Sequence, residues 1–108
     1  MAAAEKISVV LSTCPPDAAE QLAGHLVEER LAAAVNIVPQ VTSFYWWKGQ
    51  VQREGESLLV MKCPVGKVDE LTGRLRAVHP YEVPQIVAVD VSGGNSDYAR
   101  WVYESTEG

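Results

Sequence analysis

The chain has 108 residues, 47% of them hydrophobic, and carries nine Lys and Arg against fourteen Asp and Glu for a formal net charge of −5. This length suits one domain, and a chain of this mass should bury roughly 65% of its unfolded surface, so it can build a core without disulfide or metal staples. The acidic balance argues against a nucleic-acid partner, because phosphate tracking needs a basic face, and no apolar run has the length of a membrane span. The opening residues show no basic stretch followed by a long apolar one, and Cys14 and Cys63 form no Cys-x-x-Cys pair. Reduced thiols in the cytoplasm are therefore expected, with residues 1–6 as a flexible N-terminus and 7–105 as a single domain.

Residues 7–12 (ISVVLS) form a short β-branched run that reads as a buried strand. Thr13-Cys14-Pro15-Pro16 stops it, and proline suits the first turn of a helix, where its missing N–H costs nothing. From Asp17 to Leu31 the apolar positions Ala19, Leu22, Ala23, Leu26 and Val27 make an amphipathic helical stripe. Residues 34–47, rich in Val, Ile and aromatics, read as a strand that is an edge or bends at Pro39. Lys48-Gly49 signals a turn and residues 51–63 the return strand, with Gly55 as a candidate bulge. Val68, Leu71, Leu75 and Val78 share a face of a second helix over 65–78, which His79-Pro80 ends because a residue before proline is pushed out of the α region. Residues 85–91 (QIVAVDV) give a further strand. Asn95 is placed to cap a short last helix with Tyr98, Trp101 and Val102 on one face.

The order β-α-β-β-α-β-α fits an α+β fold, a ferredoxin-like split βαβ sandwich with a long hairpin and a C-terminal helix. As one strand, residues 36–47 would span about 40 Å at roughly 3.3 Å per residue, whereas a body of this size is only about 34 Å across. The hairpin should overhang and carry Phe44, Tyr45, Trp46 and Trp47 on alternating faces. Large rings on both faces cannot all be covered by one subunit, so a homo-oligomer built through hairpins is expected.

In this topology the end of the first strand lies at the same sheet edge as the start of the last. Thr13-Cys14 should therefore sit beside His79-Pro80-Tyr81-Glu82, with Cys63 at the opposite edge, which argues against a Cys14–Cys63 disulfide. The near edge collects a thiol, an imidazole, a phenol and a carboxylate. Cys, His and Glu are ligands that Cu(II) and Zn(II) accept, although the spacing is not that of a structural zinc site. Each residue also has a plain structural reading: His79 as a helix stop at a dipole terminus, Tyr81 as packing, Glu82 as solvated, Cys14 as a small buried hydrophobe. Nucleophilic catalysis would have to rest on a Cys14–His79 pair and predicts a depressed thiol pKa at Cys14. No convincing catalytic constellation is present, and the chain is not expected to be an enzyme.

The whole pattern resembles the CutA divalent-cation tolerance family. The matching stretches are VLSTCP over 10–15, ERLAAAVNIVP over 29–39, VTSFYWWKG over 41–49, HPYEVP over 79–84, and Gly94-Asn95 followed by Tyr98 and Trp101. One departure is Ala34, where many members carry cysteine, so a copper or redox role for that thiol cannot operate here. The resemblance implies a homotrimer with a role in tolerance to divalent metals, copper above all, and no obligatory cofactor. It implies His79, Glu82 and Cys14 as metal ligands, with Trp47 and Tyr81 lining a cleft between subunits and Phe44, Tyr45 and Trp46 at the trimer interface. The family in turn resembles trimeric PII-type signalling proteins, which hold small effectors between subunits. That makes an effector-binding module the alternative to metal handling.

Overall fold

The computed structural model describes residues 5–108. Of the N-terminal stretch expected to be flexible, residues 1–4 lie outside the described residues. At Lys6 the carbonyl accepts hydrogen bonds from the Tyr103 hydroxyl at 2.6 Å and the Val65 N–H at 3.1 Å. The elements are β1 (Ile7–Cys14), α1 (Ala19–Glu28), β2 (Ala34–Trp47), β3 (Gln50–Pro64), α2 (Val68–Val78), β4 (Val87–Asp90) and α3 (Ser96–Thr106), with single 3₁₀ turns leading into α1 and α2. The four strands make one antiparallel sheet in the order β2-β3-β1-β4. This is the expected split βαβ arrangement, since each helix connection crosses over one intervening strand.

Both major helices are shorter at their N-termini than the periodicity suggests, because Pro15-Pro16 and Pro64-Val65 each start a 3₁₀ turn before the α-helix proper. At its other end α1 stops at Glu28 rather than Leu31. Arg30 takes the left-handed conformation at φ 63°, while its N–H and that of Leu31 bond back to the carbonyls of Val27 and Leu26. This is a Schellman closure with arginine in the place usually held by glycine, so no residue-type signal marked it. Asn95 caps α3 as expected, its side chain accepting the Asp97 N–H at 2.9 Å.

Side chains alternate across the sheet. One face, carrying Val10, Cys14, Leu59, Met61 and Cys63, packs on Leu22, Leu26, Leu71 and Leu75 of α1 and α2 to form the core. A smaller cluster of Ile7, Ala33, Ala99 and Val102 seats α3. On the opposite face α3 covers only the end at Ile7, and Val9, Leu11, Leu58, Val60, Val87 and Val89 keep partial or full exposure.

The sheet ends where Cys14 pairs with Ser57. Beyond that point residues 41–47 and 50–56 continue as a two-stranded ribbon. The overhang stretches the molecule to 45 Å by 25 Å by 22 Å with a radius of gyration of 14.5 Å, against about 13 Å for a compact chain of this length. The bulge sits at Pro39-Gln40, opposite Ser57, and not at Gly55, which pairs regularly with Thr42. Gln40 adopts φ 60° there. The extra residue in β2 reverses its alternation, so Tyr45 and Trp47 continue the face of Asn36 and Val38, while Phe44 and Trp46 project from the other. No helix among the described residues is long and apolar enough to cross a membrane.

Candidate functional site

The edge where β1 ends is built by a proline rule and a strand register. His79 precedes Pro80 and takes an extended conformation at ψ 138°, which ends α2 and turns the chain across the end of β1. Its imidazole is buried. The Nε2–H donates to the Thr13 carbonyl at 2.9 Å, and Nδ1 accepts the Tyr81 N–H at 3.1 Å. Both ring nitrogens are thus engaged, and the ring lies 4.8 Å from that of Tyr81. The expected neighbourhood of Thr13-Cys14 and the His79–Glu82 segment is present, and Cys63, paired with Ser8, sits at the far end of the sheet. Both thiols are free and buried.

Tyr81 reaches past the end of β1 and its hydroxyl donates to Glu56 Oε2 at 2.7 Å. Glu56 is 3% exposed. Burial, followed by the hydrogen bond to Glu56, holds the Tyr81 phenol well above the usual tyrosine range. Burial, then the charges of Glu56 and Asp17, pushes the Cys14 thiol up as well. A nucleophilic thiol needs the opposite shift, so the depressed pKa that catalysis by Cys14 demands is absent.

Between the overhang and the segment after His79 lies a cavity of about 660 Å³. The hairpin contributes Ser43, Phe44, Tyr45, Trp47 and Glu56; the far wall is Thr13 with residues 80–85. Trp47, Tyr81 and Glu82 therefore share one cavity within a single chain. Cys14 and His79 lie beneath its floor rather than on its surface, and Trp46 points elsewhere, 74% exposed. No lysine, arginine or histidine lines the cavity. Partial desolvation, then the carboxylates of Glu54 and Glu56, raises the Tyr45 phenol, another sign of a negative field.

A divalent ion held inside one chain needs several converging donors. Among the described residues no group of three His, Cys, Asp or Glu converges in this way. Of the three residues expected as ligands, Glu82 is free at the surface, His79 has both nitrogens bonded, and Cys14 is enclosed in the core. Sequence reasoning missed Glu56. It stands in the polar run Gln52-Arg53-Glu54-Gly55-Glu56-Ser57 of the return strand, where residue type gives no sign of burial, and the register with β1 and the reach of Tyr81 bury it.

The sequence profile of the CutA1 divalent ion tolerance protein family matches residues 8–105. The chain is 43% identical over 102 residues to Protein CutA of Mus musculus, covering 94% of this chain and 58% of that protein. It spans a little over half the length of this relative and of its rice and human counterparts. Among solved structures, CutA1 from Oryza sativa superposes with a TM-score of 0.91 at 43% identity, covering 94% of each chain. The PII-like protein CutA from Nostoc sp. PCC 7120 superposes at 0.88 and 36% identity, over 93% of this chain and 97% of that one.

Proposed function

The chain belongs to the CutA1 divalent ion tolerance family, and from that premise we propose that it binds divalent cations, copper(II) first, as a homotrimer of the 7–105 unit. The observation that carries the reading is a cavity walled by the carboxylates of Glu56 and Glu82, with no basic residue in its lining, next to the segments that carry Cys14 and His79. Glu82 is the ligand already accessible. His79 joins if its Nδ1 releases the Tyr81 N–H, and a neighbouring subunit closing over the edge supplies the remaining donors. Cys14 enters last, since its thiol is buried and its proton held. The function is binding rather than catalysis, and two unpaired thiols suit the reducing cytoplasm.

Isothermal titration with Cu(II) in the absence of reductant tests this against Glu82→Ala and His79→Ala. Loss of affinity in both is expected. Unchanged affinity in His79→Ala removes the imidazole from the site, and unchanged affinity in both variants ends the assignment of metal to this edge.

A second reading is a trimeric module that holds a small effector at a subunit boundary. It is favoured by the likeness to the PII-like Nostoc protein and by a cavity of small-molecule rather than ionic size.

A further inference from the structure

The effector reading leaves the ligand's chemistry open, and the wall of the cavity narrows it. We infer that the cavity recognises a small organic cation, an ammonium or guanidinium group on a short carbon frame, through Glu56, Glu82 and the rings of Tyr45, Trp47 and Tyr81. This rests on the reading that the cavity holds a small effector.

Volume is the first argument. At about 660 Å³ the cavity has room for roughly twenty water molecules at about 30 Å³ each, far more than a bare ion occupies and well inside the range of small-molecule pockets. Charge is the second. The lining holds two carboxylates and no Lys, Arg or His, so a phosphate or carboxylate ligand would meet repulsion from the wall. The third argument is Glu56 itself. The residue is 3% exposed, and a carboxylate held so far from bulk water favours a charged partner. Yet Tyr81 is the one hydrogen-bond donor found for it among the described residues, and none of the ion pairs involves it. An incoming cation would add a charged partner to the one neutral donor.

The rings decide between kinds of cation. Calcium and magnesium seek six or more oxygen ligands at short range, which two carboxylates among aromatic faces do not provide. Organic cations are weakly hydrated and are attracted to ring faces by the quadrupole. The hairpin already displays this affinity with its own side chains. Lys48 Nζ lies 5.7 Å from the Trp47 ring centroid, and Arg53 Cζ lies 5.9 Å from that of Phe44.

Calorimetric titration of the full chain in amine-free buffer with agmatine and tetramethylammonium, set beside ATP and citrate, tests the inference. Both cations should bind and both anions should not. Glu56→Gln, which keeps an acceptor for Tyr81, should weaken agmatine at least tenfold. Glu82→Gln, at an exposed position that cannot unfold the chain, should weaken it several-fold, as should Trp47→Leu. Glu104→Gln on the remote face of α3 should leave it unchanged. Equal agmatine affinity in wild type and the Glu56→Gln/Glu82→Gln double variant overturns the proposal. Binding of the anions alone also overturns it while leaving the effector reading standing, and silence from all four probes ends both.

Discussion

At the scale of single residues the molecule is most unusual at Glu56. Its burial depends on one hydrogen bond from Tyr81 at 2.7 Å, and removing a donor from a buried acceptor costs the full desolvation of that acceptor. Tyr81→Phe should therefore destabilise the fold by about 1–3 kcal/mol in urea unfolding at neutral pH. Glu56→Gln, which retains an acceptor and drops the charge, should cost less than Tyr81→Phe. If the two costs are reversed, the hydrogen bond is not what holds the carboxylate in place. Acidity extends the same reasoning to the far edge. Burial pushes the Cys63 thiol up from 9.0 to about 11, so the folded state keeps the proton more tightly than the unfolded chain. The resulting stability is complete below pH 9 and is lost as pH rises through about 11. Cys14 and Tyr81 are shifted in the same sense by burial. Thermal midpoints should fall across that window, and the fall should be shallower, though not abolished, in Cys63→Ala. A midpoint that rises with pH there would contradict the assignment.

At the scale of elements, the hairpin owes its shape to a two-residue detail. Gln40 at φ 60° is the extra residue that reverses the alternation of β2 and delivers Tyr45 and Trp47 to the cavity. A side chain in the left-handed region is disfavoured, and a β-branched one more so. Gln40→Gly should be neutral or stabilising. Gln40→Val, which would help a regular strand, should cost about 1 kcal/mol in chemical unfolding. The opposite order would mean that β2 runs straight through Pro39. How much of this was legible follows from where the physics is local. Apolar periodicity and proline stops are local, so the strands, both major helices and the cap at Asn95 could be read from residue types. The end of α1 could not, because Arg30 replaces the glycine that would have announced it. Pro39 warned of a bend, yet which face each ring takes depends on how many residues of β2 oppose Ser57. That is a property of the pairing and not of β2 alone. The meeting of Cys14 with His79 followed from topology. The enclosure of both, which separates them from the cavity surface, followed from side-chain packing that no spacing encodes.

For the whole molecule the unresolved demand is apolar surface. The overhang leaves Phe44, at the rim of the cavity, 68% exposed and Trp46, outside its lining, 74% exposed. The side of the sheet facing away from α1 and α2 adds Val87 and Val89 on the short edge strand β4, beside Val9 and Leu11 of β1. Two such surfaces on a chain this small exceed what a soluble monomer usually shows, and they are separate enough to be two halves of one contact, as a closed ring requires. Neither edge strand carries a lysine along the sheet, the usual defence of an exposed edge. Sedimentation equilibrium at micromolar concentration should give about three times 11.8 kDa for the wild type. Trp46→Glu, on the overhang, and Val60→Glu, on the sheet face away from α1 and α2, should each shift it toward the monomer. Each also leaves the helix-side core intact, since neither residue belongs to it, so retained helical circular dichroism separates lost assembly from lost folding. A wild type that sediments as a folded monomer would defeat the trimer, and with it the expectation that a neighbouring subunit completes the site at Glu82.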